Sequence, residues 1–210
     1  MNVSTAKIDE ALLDVRKAYR LLHDYQRMAL DAAKYIGTQL ELTYVGGYPC
    51  FSKCAPRDGK GSLDNWAWDW LNLMFYEFHF HREITKDQWI NLSIWLFSDT
   101  GYFISDDRAR NQTDVNTFLP VDKAGTKVGF LLYRDWKQEY YRLRDNEEYL
   151  RRFLEHEGEL PELLKDGGVL GTCCDFSQLA DEASTEAVID GLVRLAQDGK
   201  LPLNRVKKHS

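Results

Sequence analysis

The chain has 210 residues, of which 44% are hydrophobic and 29% charged. That is ordinary globular composition, sufficient for one filled core, and it excludes a disordered or fibrous chain. The net charge of −6 supplies no overall field for nucleic acid or an anionic membrane, and no apolar run approaches the roughly 18 residues that would cross a bilayer.

The opening MNVSTAKIDEALLDVRKAYR lacks the basic-then-apolar order of a signal peptide. Cys50 and Cys54 are spaced C-x3-C, and Cys173 adjoins Cys174. A vicinal pair is a poor chelate for one tetrahedral metal, so free thiols in a cytoplasmic protein are expected.

The first element is the clearest. Ile8, Leu12, Val15, Tyr19, Leu22, Gln26, Ala29, Ala33 and Ile36 alternate at spacings of four and three. Ser4 or Thr5 can cap the start, and Gly37 stands where a left-handed residue would close the end. One helix of about eight turns is expected. Ala11, Ala18, Leu21, Tyr25, Met28 and Ala32 broaden its apolar stripe, which favours packing on the chain's own body; the alternative is a homodimer through this helix.

Gly46-Gly47 lies between two β-rich runs and predicts a two-residue hairpin turn, with Pro49 confining the second strand to an edge. The polar loop APRDGKGSLDN follows. Its GKGS is not a phosphate loop, because Cys54 and Gly61 stand where that motif needs a glycine and a hydroxyl residue. From about Leu71 to Arg82 apolar and polar residues alternate with period two, which predicts a strand. Thr85 with Gln88 forms a capping box, and Ile84 with Trp89 a hydrophobic staple, so a short helix to about Phe97 is expected.

SDTGYFIS then predicts a turn and a short strand, and TFLPVDKAGTKVGFLLYRD two strands around Ala124-Gly125. Asp135 opens a helical pattern through Trp136, Tyr140, Leu143, Leu150 and Leu154 toward Gly158. Pro161 starts a single helical turn ending at Gly167-Gly168. A last helix runs from about Ser184 to Asp198, closed by Gly199, and the basic RVKKHS forms a frayed tail.

These elements predict an α+β fold: a long N-terminal helix, an antiparallel sheet of about five to seven strands with helices on one face, and a helical C-terminal part. Residues 1–210 are expected to form a single globular domain. The alternative has a sub-boundary near 135 and a small helical lobe over 136–210.

Two clusters could carry chemistry. In YEFHFHRE a strand would project Glu77, His79, His81 and Glu83 to one side. Two imidazoles two residues apart can meet one divalent metal, with Glu77 as an oxygen ligand or general base. The plainer reading is the solvated face of a half-buried strand.

Trp66, Trp68 and Trp70 at period two, with Tyr48 and the basic Lys53, Arg57 and Lys60 nearby, could form an aromatic platform for a partner or for single-stranded nucleic acid. Core packing is the competing reading for these tryptophans. No nucleophile elbow, cofactor loop or calcium loop is present in the sequence.

The sequence therefore points to a cytoplasmic protein-binding or regulatory protein without its own catalysis and with no cofactor. An inhibitor, immunity or accessory factor, of a kind found in bacteria or mobile elements, would fit. Its partner is expected to be a protein, not a membrane. The alternatives are a metal-dependent enzyme on His79 and His81, and a nucleotide or single-strand binder on the aromatic platform.

Overall fold

A computed structural model describes residues 5–51, 73–105, 114–135, 146–155, 158–159 and 169–206. Its elements are α1 (Thr5–Gln39), β1 (Thr43–Pro49), β2 (Phe75–Thr85), β3 (Gln88–Phe97), β4 (Lys127–Arg134), α2 (Glu147–Glu155), β5 (Gly158–Glu159), β6 (Val169–Asp175) and α3 (Glu182–Asp198). The sheet has the order β1-β2-β3-β4-β6-β5, and every neighbouring pair is antiparallel. β5 contributes only two residues, so five strands carry the sheet. The fold is α+β, as the sequence predicts, and β6, beyond position 135, pairs with β4 in the same sheet.

Period two decides what each face of the sheet buries. On one face, Phe78 and Phe80 of β2, Ile90, Leu92, Ile94 and Leu96 of β3, and Val128, Phe130 and Leu132 of β4 form one buried cluster. The same cluster takes in Ala29, Ala33, Ile36 and Leu40 at the end of α1, and Ile189, Leu192, Leu195 and Ala196 of α3. The opposite face is also covered. There Phe75, Trp95, Phe97, Leu131 and Tyr133 pack with Phe51, Phe103 and the Tyr149, Leu150, Phe153 and Leu154 of α2.

β3 is the strand that both layers share, and it shows why the expected helix over 85–97 is a strand instead. The run WINLSIWLF is apolar at nearly every position, as a strand buried on both faces must be. Eight of its ten residues, Ile90 to Phe97, are buried. Such a run has no period to separate strand from helix, so the capping-box resemblance of Thr85 and Gln88 decided wrongly. Those two residues face each other across the β2–β3 hairpin.

Other local expectations change for similar reasons. Gly46-Gly47 is not a hairpin turn but the site of a bulge inside a single edge strand, where the register against β2 shifts between Tyr44 and Gly46. Gly46 has φ of 145°, and a side chain at Gly47 would run into the Glu77 carbonyl. Pro49 does sit on an edge strand. Gly37 lies inside α1, not beyond it, and glycine is needed there because a Cβ would overlap the Phe80 ring. The left-handed residue after the helix is Glu41, with φ of 54°.

Residues 98–105 form turns where a turn and a short strand were expected; residues 117–124 continue a 3-10 turn (Val115–Thr117) into turns where the first of two strands was expected, and the second is β4. Asp135 directly follows β4. Its carboxylate accepts a hydrogen bond of 2.8 Å from the Trp89 amide and closes the end of the β3–β4 pair. The expected helical stretch over 136–143 and the helical turn over 161–168 lie outside the described residues.

α3 follows its pattern closely. Asp181 is the N-cap, its side chain accepting from the Ser184 amide at 2.8 Å, and these bonds hold its carboxyl below the usual range. Arg205 then ties the C-terminal stretch back to Glu186 and Asp190 of α3.

Gly129 of β4 is what lets α2 lie against the sheet, since a Cβ at this position would overlap the Phe153 ring. We predict that Gly129→Ala lowers stability by about 1–3 kcal/mol through overpacking. Urea denaturation checks this, and an unchanged midpoint would show that α2 is not seated as described.

Candidate functional site

The alternation in YEFHFHRE is carried by β2. Glu77, His79 and His81 all lie on the side of β2 that carries Phe75, opposite to Phe78 and Phe80. The surface is not a solvated one, however. Glu77 is 0% exposed and His79 5% exposed, and only toward the hairpin does the row open, through a half-buried His81 and an exposed Glu83.

The alternating polar residues mark a hydrogen-bonded row inside the second layer. His79 Nδ1 and Ser93 Oγ share a hydrogen bond of 2.8 Å, and Ser93 Oγ lies 3.2 Å from the Tyr133 hydroxyl. His79 Nε2 stands 3.6 Å from Glu77 Oε1. Strand pairing makes this line-up, because His79 is registered on Ser93 and Ser93 on Leu131, two residues before Tyr133.

Tyr48 of the edge strand packs its ring on His79 at 5.2 Å, and the His81 ring lies 4.6 Å from that of Trp89. Buried polar groups belong in such networks, because each group without its partner costs about 1–3 kcal/mol. The row thus connects β1, β2, β3 and β4.

Of the sequence candidates, the structure brings together Tyr48, Glu77 and His79, with His81 beside them. Trp66, Trp68, Trp70, Lys53, Arg57 and Lys60 lie outside the described residues. Among the described residues, no group of three His, Cys, Asp or Glu side chains is arranged to hold a metal ion.

Cys50, Cys173 and Cys174 are not engaged in disulfides. As neighbours in β6, Cys173 and Cys174 project to opposite faces, one toward each core. Burial pushes each thiol up to about 12, so neither is a nucleophile near neutral pH.

The surface that the sequence reading underweighted is on α1. From Tyr25 onward the helix is anchored: Tyr25 bonds Ser98 at 2.8 Å, and Ala29, Ala33 and Ile36 are buried. Before that point the same stripe is bare. Ile8, Leu12, Val15, Tyr19 and Leu22 are all exposed, and so are Leu13 and Leu21.

The expectation that the helix packs along its length on its own body therefore holds only for its second half. A signal for this was present in the seam. Its residues change from large (Ile8 to Leu22) to small (Ala29 and Ala33) near Gln26, and small residues are what allow a helix to lie close on a sheet.

A protein-family model, that of PM0109, matches residues 5–201. The chain belongs to the PM0109 family. The match runs from the first turn of α1 to just beyond α3, so the projecting half of the helix lies within the PM0109 region together with the sheet. No curated protein and no solved structure matches the chain. No helix among the described residues of this PM0109 protein is long and apolar enough to cross a membrane.

The polar row generates a prediction. Ser93→Ala removes the hydroxyl between His79 and Tyr133 and should cost about 1–3 kcal/mol, by the penalty for a buried polar group deprived of a partner. A shift in the urea midpoint measures it. A change below about 0.5 kcal/mol, the range of ordinary surface substitutions, would mean the row does not act as a stabilising network.

Proposed function

We propose that this PM0109 protein is a non-catalytic protein-binding protein of accessory or regulatory type, and that its contact surface is the projecting half of α1. One observation carries the reading: a continuous seam of large apolar side chains, Ile8 to Leu22, stands exposed on an uninterrupted helix. A helix ordinarily buries its apolar stripe, and exposed apolar patches of this kind mark interaction sites.

The polar row supports the non-catalytic half of the proposal. His79 is held between β strands by Ser93 and packed under Tyr48, as a structural network requires. Thiols outside any disulfide at Cys50, Cys173 and Cys174 agree with action in the reducing cytoplasm. The exposed half-helix carries both signs of charge, Lys7, Arg16, Lys17 and Arg20 against Asp9, Glu10 and Asp14. A phosphate-binding track would be uniformly basic, so a protein partner is favoured over nucleic acid. Inhibitors and immunity factors are examples of this class.

The test is a photo-crosslinking amino acid placed at Tyr19 on the seam or, as control, at Lys17 on the other side, in cells producing the chain. The expected result is a protein adduct from position 19 and none from 17. Equal labelling, or none from either, would remove α1 as the contact surface.

The metal-enzyme alternative is tested separately by elemental analysis of tag-free protein purified without chelators. We expect no stoichiometric zinc, iron or manganese. Near-stoichiometric metal that disappears in both His79→Ala and His81→Ala would replace the non-catalytic reading.

A further inference from the structure

The projecting half of α1 cannot turn back to cover itself. The helix is continuous from Thr5 to Gln39, with no proline and no glycine before Gly37. At 1.5 Å per residue, Lys7 to Leu22 reaches about 24 Å away from the anchored half.

In a heptad frame Leu12 and Tyr19 are a positions and Ile8, Val15 and Leu22 are d positions. The flanking e positions are Asp9 and Arg16, and the g positions are Ala11 and Ala18.

The flanks choose the orientation of a self-pair. Two parallel copies would set g residues against e residues, here alanine against a charge, with nothing gained. Two antiparallel copies set e against e, which places Asp9 opposite Arg16 twice over, and g against g, which places Ala11 opposite Ala18 and lets the helices approach closely. The surface charge agrees. Residues 7–14 hold Asp9, Glu10 and Asp14 against one lysine, whereas 15–22 hold Arg16, Lys17 and Arg20 and no acid. Reversal brings each block against its opposite.

Register follows from the same layers. Placing Ile8 over Tyr19 and Leu12 over Val15 satisfies every a-to-d contact of the pair. The overlap, Ile8 to Tyr19 on each copy, lies within the bare segment and ends before the helix meets its own body.

We infer that the seam's occupant is a second copy of this chain, joined as an antiparallel α1–α1 pair about a two-fold axis between Leu12 and Val15. The inference rests on the reading of α1 as the contact surface and names its partner. Such an interface is isologous and closes at two subunits. Four apolar layers lie near the lower end of what specific interfaces bury, about 1,200 Å² in all, so the dimer is held in the micromolar range.

Sedimentation velocity over concentrations from about 5 to 500 µM reads this directly. The expected result is a monomer–dimer equilibrium with no higher species. Leu12→Asp should weaken it by about a hundredfold or more, since both copies lose an apolar layer residue.

The orientation is read by charge exchange on the exposed flank, which leaves the folded body unchanged. Asp9→Arg alone and Arg16→Asp alone should each weaken association, and the double variant should restore it. Failure of the double variant to restore it overturns the antiparallel pair.

A monomer at every concentration overturns self-pairing altogether. The crosslinker at Tyr19 then separates the two proposals: an adduct of other than twice the chain mass retains α1 as a contact surface for a different protein. No adduct at Tyr19 removes that surface as well.

Discussion

β3 has no side left for water. It lies in the middle of the sheet, and its two rows of side chains belong to two different cores: Ile90, Leu92, Ile94 and Leu96 to the layer under α1 and α3, and Trp95 and Phe97 to the layer under α2. Every other element is placed by the need to cover one of those rows. Fully burying one such side chain contributes about 1.5–3 kcal/mol, and β3 alone buries six of them, Ile90, Leu92, Ile94, Trp95, Leu96 and Phe97. The polar row on β2 and β3 follows from the same constraint, since Glu77, His79 and Ser93 sit where the second layer closes and must satisfy one another there.

This doubly covered sheet explains what could be read from the sequence and what could not. α1 and α3 were legible because each repeats its apolar residues at helical spacing, and α3 also closes at Gly199 as expected. β2 was legible because its polar and apolar residues alternate. β3 was not, because burial on both faces erases the alternation that marks a strand. The bulge at Gly46 was read as a turn because a glycine pair serves both, and only the register against His79 and Phe80 distinguishes them.

The candidate site was half legible. Spacing alone placed Glu77, His79 and His81 on one side of a strand, which is correct. What covers that side depends on segments far away in the chain, Tyr133 and Tyr149 among them, and no local pattern encodes it. For α1 the limitation ran the other way. The stripe was plain in the sequence, but a stripe does not say how far along its length the body reaches. That depends on where the sheet ends, and the sheet meets the helix at Tyr25 through Ser98.

The polar row also fixes which partner each residue of the sheet takes. If β2 slid by one residue against β3, Glu77 and His79 would turn to the hydrocarbon beneath α1, while Phe78 and Phe80 would turn toward Ser93 and Tyr133. An uncompensated carboxylate there costs far more than one misplaced methyl group. Two apolar strands facing apolar layers on both sides could slip at little expense. This pair cannot, and a carboxylate, an imidazole and two hydroxyls act as its alignment key.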